Sequence, residues 1–145
     1  MPKQLSLSRG IDSHFEEILG QSKAWVEELR KLAESRFPTD ALANAEANLE
    51  VAREFFSKWS MEVLVSLYSL HAAGFEELRR HLRGVTPRVL SGKLKALEAR
   101  HLIVRRVLND HPPRVQYRLA PDGLTLVRLG EPAFLYLRLH GKPPR

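Results

Sequence analysis

The chain has 145 residues and a mass of 16.6 kDa, and 43% of its residues are hydrophobic, which predicts one globular domain with a terminal extension. It has no cysteine, which excludes disulfides, cysteine-ligated zinc, iron–sulfur clusters, thiol catalysis and thiol-based redox sensing. The formal charge is +6, but it is unevenly distributed: residues 11–62 hold 6 basic and 11 acidic side chains, whereas residues 76–120 hold 11 basic and 4 acidic ones. Only the second stretch therefore predicts contact with a polyanion.

Two amphipathic helices are predicted in the N-terminal extension, residues 1–56. The first begins at Asp12 or Ser13, which can serve as its N-cap, and ends before Pro38. The second runs from about Thr39 or Asp40 to Phe56 through an alanine-rich body. Each has an apolar stripe that the other covers only in part, so we expect the extension to form a homodimer. The alternative is that its aromatic side chains pack on the downstream domain of the same chain.

Three short helices and a hairpin are predicted over residues 57–123. The helices begin near Trp59, at Phe75 and at Thr86, where Pro87 suits the first helical position. Residues 102–108 and 114–119 are predicted strands, and the second alternates strictly between apolar and polar side chains. This element order predicts a mainly helical chain with a small antiparallel hairpin, the winged helix-turn-helix.

The tail, residues 124–145, is rich in leucine and is predicted to form one or two helices that return to the N-terminal helices. Gly130, Glu131 and Pro132 are expected to break it. Neither a signal-peptide pattern nor an apolar run of about 18 residues is found in the sequence, which predicts a cytoplasmic protein without a membrane partner.

The third helix, residues 86–100, has the residue types that suit a helix in the DNA major groove. Its leucines at 90, 94 and 97 predict the buried face. Arg88 suits a bidentate pair with guanine, and Gly92 allows close approach of the backbone. The residues of this segment that we predict to contact DNA are Thr86, Pro87, Arg88, Ser91, Gly92, Lys93 and Lys95.

The hairpin, residues 103–119, is predicted to be the wing. Its outward face is expected to carry Arg114 and Arg118, with Arg105 and Arg106 on the partner strand. Such a face suits contact with the DNA backbone or the minor groove. The alternative is a solvated hairpin face without a ligand.

Four motifs follow one another between residues 57 and 125. They are Ser57-Lys-Trp-Ser60, Phe75-Glu-Glu-Leu78, Val85-Thr-Pro-Arg-Val-Leu-Ser-Gly-Lys-Leu-Lys-Ala-Leu-Glu98, and Pro112-Pro-Arg-Val-Gln-Tyr-Arg-Leu119 followed by Gly123. This series resembles the HxlR family of winged-helix transcription regulators. The resemblance implies a homodimer whose terminal helices interlock and which binds a two-fold-related site on double-stranded DNA.

The chain departs from the family pattern in four places. His101 occupies a position where the family commonly has glycine, which predicts an unusual backbone angle or a reshaped turn. Ala120, followed by Pro121, replaces the usual hydroxyl cap of the helix after the wing. The N-terminal sensor cysteine of some members is absent, so redox control is not expected. Finally, the N-terminal extension is much longer than the usual lead-in.

No catalytic set is found. The six histidines have neither the His-x-x-x-His nor the His-Glu-x-x-His spacing, and the sequence contains no glycine-rich phosphate loop and no Gly-x-Ser-x-Gly motif. We therefore expect a protein without catalysis, metal or cofactor.

The predicted function is that of a sequence-specific DNA-binding transcriptional regulator. The alternative is a winged-helix protein-interaction module of a transcription or replication assembly, whose basic face meets an acidic partner. Any small-molecule effector would bind between the N-terminal helices and the winged domain, with Trp25, Phe56 and Trp59 as candidate lining residues. The alternative is that these three side chains serve only in ordinary core packing.

Overall fold

The computed structural model describes residues 2–32 and 40–141, and this part of the chain contains six helices and one hairpin. The strands β1 (Ile103–Leu108) and β2 (Arg114–Leu119) are antiparallel. This confirms the predicted fold class, a mainly helical winged helix-turn-helix with a small hairpin. The helices are α1 (Pro2–Leu32), α2 (Ala41–Phe55), α3 (Ser60–Leu70), α4 (Phe75–His81), α5 (Pro87–Ala99) and α6 (Pro121–His140).

The chain divides into two compact units, residues 1–49 and 50–145, and the division falls inside α2. The second unit therefore includes the end of α2, the winged helix-turn-helix and α6. The division into three segments at residues 56 and 123 stays a prediction. In the ranges 2–32 and 40–141, no helix is both long enough and apolar enough to cross a membrane.

The core of the second unit is built around α3. Val63, Leu64 and Leu67 of α3 are fully buried. The predicted buried face of α5 is confirmed, because its three leucines are 0–3% exposed. Burying a leucine contributes about 1.5–3 kcal/mol before entropy is counted, so these side chains fix which face of α5 points outward. The other members of this core are Ala73, Leu78, Leu82, Val85, Leu102, Ile103 and Val127.

The N-terminal helix differs from the prediction. α1 begins at Pro2, so the predicted start at Asp12 or Ser13 is wrong. The sequence between Pro2 and Pro38 contains no proline, and Gly10 costs a helix only about 1 kcal/mol relative to alanine. Because nothing upstream of Asp12 prevents helical geometry, the helix continues through the capping residues and does not begin at them. The predicted end of the helix lies outside the described residues.

The predicted start of the second helix is confirmed. Asp40 precedes α2, and its Oδ2 accepts a hydrogen bond from the Ala43 backbone N–H at 3.0 Å, as an N-cap does.

The C-terminal helix is continuous, so the predicted break at Gly130–Pro132 is wrong. Pro132 lies inside α6 and removes one backbone donor, which leaves the Arg128 carbonyl without its helical partner. Arg128 is exposed, so water can satisfy this carbonyl. As the departure at Ala120 predicted, the helix begins without a side-chain cap, and Pro121 occupies its first turn.

His101 has a positive φ of 57°, which confirms the predicted unusual backbone angle. It follows the end of α5, where the Leu102 N–H donates to the Leu97 carbonyl at 3.0 Å and the His101 N–H donates to the Glu98 carbonyl at 2.9 Å. These two bonds form a Schellman motif, whose left-handed position favours glycine. A non-glycine residue is strained there because its Cβ approaches the backbone.

We expect His101→Gly to raise the free energy of unfolding by about 1 kcal/mol, since glycine adopts this conformation without the steric cost. Urea unfolding of the full chain measures the change. His101→Ala, which keeps the Cβ atom, is the control and should give no such gain. Equal stability of His101→Gly and the wild type would contradict strain at this turn.

Candidate nucleic-acid interface

The first turn of α5 is fixed by its own sequence. The Thr86 Oγ1 accepts a hydrogen bond from the Val89 N–H at 3.3 Å, which confirms the predicted N-cap, and Pro87 begins the helix. Arg88 follows and is exposed. Its guanidinium therefore extends from the turn where the positive end of the helix dipole lies.

The exposed face of α5 carries Arg88, Gly92 and Lys95, and Ser91 is half-buried beside it. Within the described ranges, no carboxylate forms an ion pair with Arg88 or Lys95. A Cβ atom added at Gly92 would have no heavy-atom neighbour within 4 Å, so the backbone is accessible there. Both cations are available to a ligand.

Lys93 differs from the other predicted members of this set. It is half-buried on the flank of α5, and its Nζ donates to Ser57 Oγ at 2.8 Å. Its side chain thus holds α5 to the turn between α2 and α3. The sequence indicates the flank position, since Lys93 is one turn from the buried Leu97, but nothing in it points to a partner 36 residues away.

The register of the hairpin assigns each wing residue to a face. Arg106 is opposite Gln116 and Val104 is opposite Arg118, so these side chains share one face. Arg105 is opposite Tyr117, on the other face. The prediction that Arg105 and Arg106 extend the same outward face is therefore wrong, because neighbouring residues of a strand point to opposite sides.

Backbone hydrogen bonds anchor the wing to the core, and its exposed arginines differ in whether a carboxylate pairs with them. Tyr117 of β2 exchanges backbone hydrogen bonds of 3.0 and 2.8 Å with Ala73, which ties the strand to the core. Arg114 is exposed but paired, since its guanidinium makes two contacts of 2.8 Å with Asp110 Oδ2. Arg106 and Arg118 are exposed and have no carboxylate partner among the described residues.

The three residues predicted to line an effector site differ in burial and do not all belong to the same unit. Trp59 is half-buried against the core of the second unit, and Phe56 is 67% exposed. Trp25 is half-exposed and belongs to the first unit, so this lining stays a prediction. Among the described residues, no group of three or more histidine and carboxylate side chains is arranged to hold a metal ion.

Known proteins resemble about half of this chain in sequence. An uncharacterised HTH-type transcriptional regulator of Halalkalibacterium halodurans is 35% identical over 74 residues, which is 51% of this chain and 66% of that protein. A second one, from Methanothermobacter thermautotrophicus, is 36% identical over 81 residues, which is 55% of this chain and 61% of that protein. The match thus spans less than two thirds of the length of these relatives.

The fold and a family model agree with these relatives. The reduced form of the transcriptional regulator YodB from B. subtilis superposes with a TM-score of 0.59 at 20% identity, over 66% of this chain and 93% of that chain, which shows a common fold. The family model described as HxlR-like helix-turn-helix matches residues 55–131, more than half of the chain. With its helix order, wing and basic α5, the chain belongs to the HxlR-like helix-turn-helix family of transcriptional regulators.

Proposed function

We propose that this protein is a homodimer that binds double-stranded DNA with sequence specificity, with α5 in the major groove and the wing on the backbone or in the minor groove. The observation that carries the proposal is the pair of exposed cations without carboxylate partners, Arg88 and Lys95, on the outward face of α5. A helix used in this way presents its N-terminal residues to base edges.

The two arginine-bearing elements have different proposed roles. Arg88 extends from the first turn of α5, so we assign it to a guanine, with which arginine makes a bidentate pair. The accessible backbone at Gly92 favours close approach of the helix to the groove. Arg106 and Arg118 lie on one face of the wing, where phosphates are the natural partners, and such contacts fix position without sequence information.

We expect Arg118→Ala to weaken binding to every DNA sequence alike. It should lower the slope of log K against log salt by about 0.9 for each lost phosphate contact, or about 1.8 for the two wings of a homodimer. Filter-binding isotherms over a range of salt concentrations measure the slope. Arg105→Ala is the matched control, because it removes the same charge from the opposite face of the hairpin. If both variants change the slope equally, the wing acts only through net charge and its proposed contact is wrong.

Arg114 should contribute less than Arg118. Its guanidinium already pairs with Asp110, so a phosphate must displace that carboxylate to gain the contact. We therefore base the wing's contribution on Arg106 and Arg118, which share one face and have no carboxylate partner among the described residues.

The homodimer is inferred from apolar surface that a single chain leaves uncovered. In α1, the exposed side chains Ile18, Trp25, Leu29 and Leu32 follow spacings of three and four residues, with Ser22 in the remaining place. This repeat suits packing along a second helix. From residue 9 to residue 32 no side chain of α1 is buried, and Trp25 is 50% exposed.

The end of α6 also exposes apolar side chains. Leu135, Leu137 and Leu139 are each at least half exposed. Uncovered apolar surfaces of this extent in one chain mark association sites, and a two-fold dimer buries the same surface on both copies.

Light scattering of the full chain at micromolar concentration should give twice 16.6 kDa. Leu29→Glu should shift the population toward monomer, because it puts a charge into the α1 repeat, whereas Ser13→Glu adds the same charge on the opposite side of the helix and should not. A stable 16.6 kDa monomer of the wild type would contradict the dimer.

A further inference from the structure

A pocket of about 270 Å³ lies within the second unit, where the end of α2 and the start of α3 face α5. Phe55 and Leu97 supply apolar surface to it, and Arg53, Lys93 and Arg100 supply three cations against the single carboxylate of Glu54. Its volume is below the about 300–1,000 Å³ that drug-sized ligands occupy, so a ligand here must be small.

Lys93 is one of the three cations of this pocket, and its hydrogen-bond donors are only partly used. The Ser57 hydroxyl donates its one proton to the Glu54 carbonyl at 2.8 Å, so it accepts from Ser60 Oγ at 3.0 Å and from Lys93 Nζ at 2.8 Å. No carboxylate of the described chain pairs with Lys93. A half-buried ammonium with donors to spare and no counterion favours an anionic partner.

The two arginines complete the charge pattern. Arg100 pairs with Glu54 and lies over the Phe55 ring, 5.8 Å from the ring centroid. Arg53 is exposed, and its guanidinium has no hydrogen-bond or ion-pair partner in the described part of the chain. The lining therefore carries a net positive charge beside an aromatic wall, a combination that suits a small organic anion with an apolar body.

We propose that this pocket binds a small aromatic carboxylate, whose carboxylate pairs with Lys93 and whose ring lies against Phe55 and Leu97. Lys93 of α5 contacts Ser57 in the α2–α3 turn, and Arg100, the C-cap residue of α5, pairs with Glu54 of α2, so the two cations hold α5 to this region. A carboxylate that competes for these cations changes how α5 is held. Binding of the anion therefore alters DNA affinity, a consequence that rests on the proposed function.

Isothermal calorimetry of the full chain with benzoate, in the absence of DNA, tests the site itself. We expect saturable binding of benzoate and none of benzamide, its neutral counterpart. Lys93→Gln should weaken benzoate binding about tenfold to 100-fold, as expected when one charge-assisted hydrogen bond is lost. Lys95→Gln removes the same charge from the exposed face of the same helix and should leave benzoate binding unchanged.

Binding of benzamide as tight as that of benzoate, or equal effects of Lys93→Gln and Lys95→Gln on benzoate binding, would overturn the site. The coupling is tested by measuring the DNA affinity of the wild type with and without saturating benzoate, and an unchanged affinity would overturn the coupling. A chain that binds benzoate but no DNA at all would instead refute the proposed function and leave the site standing.

Discussion

Arg88→Ala is expected to lower the affinity for the specific DNA site by between about 30-fold and 10⁴-fold. A bidentate arginine–guanine pair is worth about 1–3 kcal/mol, and a homodimer loses one pair in each half-site. The effect should be large because Arg88 is exposed at the start of α5 and no carboxylate of the described chain competes for its guanidinium.

The same substitution should change sequence preference. Affinity for a scrambled duplex should fall far less than affinity for the specific one, since non-specific binding depends on phosphates. Arg118→Ala is the matched comparison, because it removes the same charge but should weaken both duplexes equally. If Arg88→Ala keeps its full preference for the specific duplex, Arg88 does not contact a base and the wrong residues have been assigned to the groove.

Gly123→Ala is expected to destabilise the fold by about 3 kcal/mol or more. Gly123 is buried in the first turn of α6, and a Cβ atom there would lie 2.0 Å from the Leu102 carbonyl oxygen. That oxygen accepts a hydrogen bond from the Ala120 N–H at 2.9 Å, so it cannot retreat without breaking the link between the two ends of the hairpin. Urea unfolding followed by far-UV circular dichroism measures the loss.

Gly92→Ala is the matched control for this prediction. It places the same methyl group in α5, where nothing lies within 4 Å, and it should stabilise the chain by up to about 1 kcal/mol through helix propensity. The two glycine-to-alanine substitutions should thus have opposite signs. A Gly123→Ala variant as stable as Gly92→Ala would mean that α6 does not pack against Leu102 as described.

Local patterns explain which parts of the fold could be predicted from the sequence. The leucines at 90, 94 and 97 and the cap at Thr86 are local features of one helix, so the orientation of α5 followed from them. The strict alternation of β2 fixed its two faces in the same way. Applied to β1 as well, this alternation would have separated Arg105 from Arg106.

Weak or distant signals explain what the sequence did not predict. The start of α1 was misassigned because a capping residue is only a preference, and a helix continues through it when nothing forbids helical geometry. Pro132 costs α6 one hydrogen bond without ending it, since the freed carbonyl is exposed. The contacts of Lys93 with Ser57 and of Arg100 with Glu54 join residues 36 and 46 positions apart, and no local pattern encodes such pairs.

The measurement that tests the proposed function most directly is selection of bound duplexes from a random-sequence pool with the full-length wild type, followed by sequencing. We predict enrichment of an inverted repeat whose half-sites contain guanine and whose centres are about 34 Å, one helical turn, apart, because two α5 helices related by a two-fold axis enter successive major grooves. Retention of duplexes without any enriched sequence, or no retention at all, would contradict sequence-specific DNA binding and would favour a winged-helix module whose basic face binds an acidic protein.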